Sequence, residues 1–348
     1  MNTVTTTWRI AVVGAGAIGC RMAAHLAQAG VACTLFDTWP EHVAALQAHG
    51  LTLEHDGRRE TWPVRAFSVA APPQELFDVV LLAVRSDATA AMLPLVGQLL
   101  APDGIAVSCQ NGLNEDAMAQ ALGAERTLGC SLVFGARLTA PAHVVVLPGP
   151  DTLKVGELDG RDTPRLRHLA ALLETCGTTT VTPNLLGYRW MKLVLNSIGN
   201  PLLLLSGETA ASLHAKADAR RLMIALAGEV LRTAAASGAR AEPVLEVAAP
   251  TWCAPGARDD PRLHQALLAH GNSLGPRRLS MVADFEARGR TEVDHINGYV
   301  VAKARTLAVA TPLNEAVVRR VKRLEAGTLQ PGPLAMQPLL AQCQALAG

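Results

Sequence analysis

Apolar positions fall into two patterns along the chain. Up to residue 182, short apolar runs alternate with helically spaced segments; after Pro183 the helical spacing continues almost alone. Residues 8–13, WRIAVV, read as a short buried strand, followed by GAGAIG and then CRMAAHLAQAG, a helix that ends at Gly30. VACTLF (31–36) reads as a second strand ending at Asp37, and PEHVAALQAHG as a helix with proline at its start and glycine after its end. Residues 51–67 predict one or two short strands, 78–84 a buried strand, 87–100 a helix interrupted near Pro94, and 104–109 a further strand. This alternation predicts a parallel sheet covered on both faces. From 127 to 158 the runs TLGCSLVFGA, HVVVL and LKVGEL predict three strands with short connections and antiparallel pairing, followed by a helix over 163–176 and a strand over 178–182. Helical patterns then run through 185–198, 219–237, 262–270, 279–289, 294–309 and 314–325, while the Pro- and Gly-rich segment 251–276 reads as a loop or insertion between helices.

The expected fold class is therefore α/β: a Rossmann-type doubly wound parallel sheet over residues 1–183, then an all-helical domain over 184–348. The length of 348 residues suits two domains, and 49% apolar against 18% charged residues suits a core-forming protein. With 31 basic and 30 acidic side chains, charge gives no reason to expect nucleic acid or an anionic membrane as partner. No apolar run reaches the length of a membrane span, and the N-terminal residues lack the basic start of a signal peptide. Seven cysteines, scattered without a CxxC pair, argue against a disulfide framework or a metal site and for a reducing cytoplasm.

The first candidate chemistry is the turn Gly14, Ala15, Gly16, Ala17, Ile18, Gly19. It follows a strand and opens a helix, the context in which a glycine-rich turn cradles a dinucleotide pyrophosphate. The alternative is a glycine-rich turn without ligand. Asp37 ends the second strand eighteen residues after Gly19, where a carboxylate accepts from a ribose 2′-OH and repels a 2′-phosphate, which favours NAD over NADP. It could equally cap the following helix. No Arg or Lys lies between Asp37 and Arg58 to receive a 2′-phosphate. Arg85, Gln110 and Asn111 end strands at the sheet edge where cofactors bind, and each could also be a turn residue.

The second is WMKLVLNSIGNPL, residues 190–202, an apolar helix interrupted at steps of four by Lys192, Asn196 and Asn200. Each such step drifts only about 40° around the axis, so the three form one polar line spanning about 12 Å. It is either the stripe of a surface helix or the wall of a cleft; an ammonium and two amides among Leu, Val and Ile favour the cleft. A third stretch, LSMVADFEARGRTEVDHINGYV (279–300), places Glu292 after a polar turn and before a helix, with Ser280 twelve residues earlier. Glu292 could be a carboxylate favoured by the helix dipole alone.

In the order and spacing of GAGAIG, QNG (110–112), KLVLNSIGNPL (192–202) and SMVADFEARGRTEVDHINGYV (280–300), the chain resembles the ketopantoate reductase (2-dehydropantoate 2-reductase) family over nearly its whole length. That family's helical domain is of the 6-phosphogluconate dehydrogenase C-terminal type. The resemblance implies NAD(P)-dependent reduction of a 2-oxo acid to a 2-hydroxy acid. It implies Lys192 as general acid, Glu292 as partner of cofactor ribose and substrate hydroxyl, Asn196, Asn200 and Ser280 as substrate ligands, and Asn111 between nicotinamide and substrate. Ala136 would make a backbone contact to the cofactor, and a homodimer through the helical domain is a family-level expectation. The chemistry agrees: a cation at the carbonyl oxygen stabilises developing charge, partial burial suits a lysine to proton donation, and the hydride comes from the cofactor. The chain departs from the family pattern at Asp37 (a basic residue is usual there), at Arg85 (usually Lys), and at Ala210, where some pantoate-forming members carry a further substrate Asn. These departures keep open an NAD-dependent dehydrogenase of D-2-hydroxy acids such as mandelate. From another class, a non-catalytic dinucleotide-binding regulator would need only the first half of the chain.

Overall fold

The computed structural model describes residues 7–275 and 279–346. Residues 1–6, which the signal-peptide argument included, and Pro276, at the end of the supposed loop 251–276, lie outside the described residues. The chain divides into two compact units after Leu185.

The first unit runs β1 (Ile10–Val13), α1 (Ala17–Gln28), β2 (Cys33–Asp37), α2 (Pro40–His49), β3 (Leu51–His55), β4 (Arg58–Trp62), β5 (Arg65–Ser68), β6 (Phe77–Leu82), α3 (Thr89–Leu99), β7 (Leu100–Ser108), α4 (Glu115–Leu122), β8 (Thr127–Ala140), β9 (His143–Glu157), α5 (Pro164–Leu173) and β10 (Thr178–Val181). The described strands form one ten-stranded sheet in the order β4-β3-β9-β8-β7-β6-β1-β2-β5, with β10 also beside β9. From β5 to β8 every pairing is parallel. In β1, Ile10 and Val12 pack on one face with α1, and Ala11 and Val13 on the other with α3. Both faces are covered, which is why these strands read as unbroken apolar runs.

Several details differ from the sequence reading. Segment 51–68 holds three strands rather than one or two. HVVVL and LKVGEL are one strand, β9, antiparallel to β8; the register shift opposite Val133–Gly135 lets Pro148–Asp151 leave the ladder, where prolines have no N–H to offer. Helix α3 runs unbroken through Pro94, losing only the bond to the Ala90 carbonyl. In the second unit, the helical pattern over 262–270 belongs to a longer helix, α10 (Pro261–Leu274), so segment 251–276 is mostly helix rather than loop; α10 buries Leu263, Leu267 and Gly271 at steps of four, and Asp260 caps it by accepting from the Arg262 N–H at 2.8 Å.

The second unit is built from α6 (Leu185–Ser206), whose first residue closes the first unit, α7 (Ala210–Ala215), α8 (Ala217–Ala236), α9 (Ala249–Cys253), α10, α11 (Ser280–Arg288), α12 (Asn297–Thr306), α13 (Pro312–Glu325) and α14 (Pro333–Ala345). The sequence reading stops short of α14, and it ends α6 eight residues early, before Pro201. Helix α8 is the spine, with residues from Ala219 to Ala234 buried against its neighbours. No helix among the described residues is long and apolar enough to cross a membrane.

Candidate active site

In the first unit the glycine-rich turn leaves β1 and doubles back over the end of β2, whose Phe36 carbonyl accepts from the N–H groups of Gly14 (2.8 Å) and Ala15 (3.2 Å). Gly14 has φ +98°, and a Cβ there would stand 2.6 Å from the Val84 nitrogen. A Cβ on Gly19 would lie 2.0 Å from the Gly14 carbonyl oxygen, so only glycine lets α1 start this close to the strand. At Gly16 a Cβ would meet nothing within 4 Å: the described residues do not fill that space. Ala17, Ile18 and Gly19 form the first turn of α1, which carries no acidic side chain. Their N–H groups have no intrahelical acceptor, so the turn and helix end suit an anionic phosphate.

Two buried side chains support this turn from behind and were not foreseen. The Ala15 carbonyl accepts from His42 Nε2 (2.8 Å) and from the Cys20 thiol (3.0 Å). Because His42 Nδ1 accepts from the Ala142 N–H at 3.0 Å, the imidazole is fixed as the neutral Nε2–H tautomer. Burial pushes the Cys20 thiol well above its ordinary range, so it acts as a donor and not a thiolate.

Asp37 ends β2, and its Oδ1 accepts from the Trp39 N–H at 3.0 Å. It holds the entry to α2 without capping it, since the cap position is Trp39. Arg85 follows β6, with Nε 3.3 Å from Asp87 Oδ1. Gln110 follows β7, and its Nε2 donates to the Val84 carbonyl (3.0 Å) and to Thr89 Oγ1 (2.7 Å). The Asn111 carbonyl accepts from Ser86 Oγ and from Asn114 Nδ2, both at 2.8 Å. Thr89 Oγ1 donates to Asn114 Oδ1 at 3.2 Å, which closes the network. The ends of β6 and β7 are thus locked side by side, with Arg85, Gln110 and Asn111 along one edge. Ala136 lies in β8 beside Gly135, whose carbonyl accepts from Arg21 Nη1 at 2.8 Å. Arg21 belongs to α1, is itself buried, and pairs with Asp151 at 2.7 Å.

In the second unit Lys192, Asn196 and Asn200 all belong to α6, which continues through Pro201. Lys192 and Asn196 are half-buried and Asn200 is buried. The Asn196 amide nitrogen Nδ2 is buried with no acceptor among the described residues. Ser280 opens α11 directly after Leu279, whose Cδ1 would lie 3.3 Å from a Cβ on Gly199; α11 therefore starts beside the Asn200 turn.

Glu292 is buried, but it precedes a short 3₁₀ turn, Val293–His295, rather than lying in the first turn of a helix. Its carbonyl accepts from the N–H groups of His295 (2.9 Å) and Ile296 (3.1 Å). The turn is pinned on both sides. Thr291 donates its N–H and Oγ1 to Glu325 Oε1 at 2.8 and 2.6 Å, and Asp294 pairs with Lys322. Burial raises the Glu325 carboxyl, but the bonds from Thr291 and Lys322 outweigh it and hold the group below the usual range. Beyond the turn, Asn297 Nδ2 donates to the Ser197 carbonyl of α6 at 3.1 Å. The second unit therefore brings the Glu292 turn and the start of α11 to the helix that carries Lys192, Asn196 and Asn200.

Residues 10–160 match the family model described as Ketopantoate reductase PanE/ApbA, and residues 184–325 match that of Ketopantoate reductase PanE/ApbA C terminal. A 2-dehydropantoate 2-reductase of Mesorhizobium japonicum is 29% identical over 340 residues, covering 91% of this chain and 97% of the relative. One of Halobacterium salinarum is 30% identical over 316 residues, covering 88% and 95%. Among solved structures, a PanE/ApbA family ketopantoate reductase from Ralstonia eutropha superposes with a TM-score of 0.77 at 25% identity, covering 92% of this chain and 99% of its own. D-mandelate dehydrogenase, solved with NADH and anilino(oxo)acetate, has the same fold: TM-score 0.78, 22% identity, 92% and 99% covered.

Proposed function

Because the chain belongs to the ketopantoate reductase family, we propose that it is a nicotinamide-dependent oxidoreductase that interconverts 2-dehydropantoate, or a closely related 2-oxo acid, and the 2-hydroxy acid. The observation that carries this reading is the polar line of α6: a lysine followed by an amide whose buried nitrogen has no acceptor among the described residues. A buried N–H donor without a partner costs about 1–3 kcal/mol, and a substrate oxygen would satisfy it.

The dinucleotide fits the first unit. The open space at Gly16 leaves room for a pyrophosphate against the backbone, and the acid-free first turn of α1 offers N–H groups to it. When bound, the nicotinamide supplies or accepts the hydride. Lys192 gives the ketone oxygen its proton and stabilises the charge that develops there. Asn196, Asn200 and Ser280 bind the carboxylate and hydroxyl oxygens, and Glu292 orients Lys192 and the substrate hydroxyl. In the first unit Asp37 binds the adenosine ribose, while Arg85, Gln110, Asn111 and Ala136 line the cofactor. Asp37 favours NAD. A cytoplasmic location and a homodimer through the helical unit belong to the same reading. The seven free thiols suit the location, and light scattering after gel filtration tests the dimer.

Ala210 favours a second reading, oxidation of bulkier D-2-hydroxy acids. It is buried at the start of α7 and has no amide to offer a pantoate hydroxyl. Nicotinamide absorbance with ketopantoate and several bulkier 2-oxo acids, each with NADH and NADPH, decides between the two. We expect Lys192→Ala to lose about 10²–10⁴-fold in kcat with cofactor binding intact. Near-normal turnover in that variant would overturn the assignment, and no turnover of the parent with any 2-oxo acid would leave a dinucleotide-binding regulator.

A further inference from the structure

Pro201 lies inside α6, one residue after Asn200. In an α-helix the N–H of residue 201 would bond the carbonyl of residue 197; proline has no N–H, and its ring presses against that carbonyl and bends the helix. Ser197 is fully buried, so its carbonyl cannot turn to water. The acceptor is used instead by the Asn297 side chain, one hundred residues along the chain, whose Nδ2 donates to it at 3.1 Å.

The orientation of that amide is forced. Buried Glu229 accepts from the N–H groups of Leu313 and Asn314, both at 2.9 Å, and from Asn314 Nδ2 at 2.7 Å. Asn314 must therefore present Oδ1 to Asn297, which donates Nδ2 to it at 2.9 Å. Asn297 spends both N–H groups this way, and its own Oδ1 is buried with no hydrogen-bond partner among the described residues. A side chain needed only to fill space would not keep an amide at that cost.

The bond that Pro201 cannot make, to the Ser197 carbonyl, spans residues 197–201, the turn that holds Asn200 and follows Asn196. We propose that Asn297 is the positioning residue of the Lys192–Asn196–Asn200 line: its amide takes the hydrogen-bond place vacated by Pro201 and fixes the bend that sets Lys192 and Asn196 relative to Asn200. The same bond ties the Glu292 turn, five residues before Asn297, to α6. The proposal rests on reading that line as the substrate-binding face.

The test is a cycle of Asn297→Ala, Pro201→Ala and the double variant, read by thermal unfolding and by steady-state kinetics on the full chain. Asn297→Ala should lower the unfolding midpoint and cut kcat/KM for the 2-oxo acid by about tenfold or more, with KM for the dinucleotide unchanged. In the double variant the backbone N–H of residue 201 satisfies Ser197 while Asn314 Oδ1 stays without its donor, so the midpoint should recover in part while kcat/KM stays low, because the proline is gone. Pro201→Ala alone, which keeps every side chain of the line, should also lower kcat/KM without loss of stability. Midpoint and kcat/KM recovering together would make Asn297 a structural residue only and overturn the proposal. A midpoint that does not recover at all would show that the Ser197 bond is not what Asn297 supplies, and a Pro201→Ala enzyme with parental kinetics would overturn the positioning role even if Asn297→Ala does not fold. A parent without turnover on any 2-oxo acid overturns the functional reading instead, and the unfolding cycle then still decides the hydrogen bond.

Discussion

Gly16 and Gly19 stand three residues apart in one turn, and their surroundings separate two kinds of constraint. A methyl group on Gly19 would collide with the Gly14 carbonyl oxygen, 2.0 Å away, so Gly19→Ala should cost at least about 2 kcal/mol in chemical denaturation. A methyl group on Gly16 meets only open space. Gly16→Ala should leave stability within about 0.5 kcal/mol and raise the KM for the dinucleotide roughly tenfold, the loss of one close phosphate contact. The turn, Asp37 and the Lys-Asn-Asn line are legible in sequence because each is defined by neighbours within a few residues. His42, Thr89, Asn114 and Asn297 are not. His42 is defined by the Ala15 carbonyl and the Ala142 N–H, Asn297 by the Ser197 carbonyl, and backbone groups carry no sequence signal.

At the scale of elements, prolines and glycines explain most differences between pattern and fold. In 251–276 they mark helix boundaries: Pro261 opens α10 and Gly275 closes it. Read as bulk composition, the same residues suggest a loop. Pro94 and Pro201 lie inside helices that continue past them, because surrounding packing outweighs the loss of a single backbone bond. Helix α14 leaves little trace in the sequence because Pro338 interrupts an already weak helical spacing of apolar positions. The packing of α7 against α10 also carries a pH dependence. His214 and His270 face each other at 6.0 Å between ring centroids. Burial, with His214 adding to it, lowers His270 to about 4 from its ordinary 6.5. His214 is lowered as well, chiefly by burial. Both are neutral in the folded unit above their unfolded range, so their contribution is whole above about pH 6.5 and lost as pH falls toward 4. Melting curves across that window should show a steeper acid loss for the parent than for His270→Gln.

For the whole molecule, ligand-linked stability is the sharpest test of the dinucleotide reading. Free NADH at a hundred times its Kd should stabilise the protein by about 2.7 kcal/mol. Asp37, at the end of β2, should make NADPH at least about tenfold weaker by setting a carboxylate against its 2′-phosphate, and Asp37→Ala should narrow that gap. Thermal shift with each nucleotide measures both, without reference to the acid substrate. With nearly balanced charge, the chain offers no strong field of its own to draw an anionic nucleotide in, so discrimination falls on local groups such as this one.

The hydrogen bond from the Ala142 N–H to His42 has a consequence for how the protein is made. It joins positions one hundred residues apart, and on its far side His42 holds the carbonyl of Ala15. A nascent chain can form β1, the turn and α1 early, but the clamp behind the turn closes only after the β8–β9 hairpin has left the ribosome and paired. Contacts of such long range form late and slow the search for the native state. Nucleotide-binding competence should therefore arise in one step, when residue 142 docks, and not build up as the glycine-rich segment emerges.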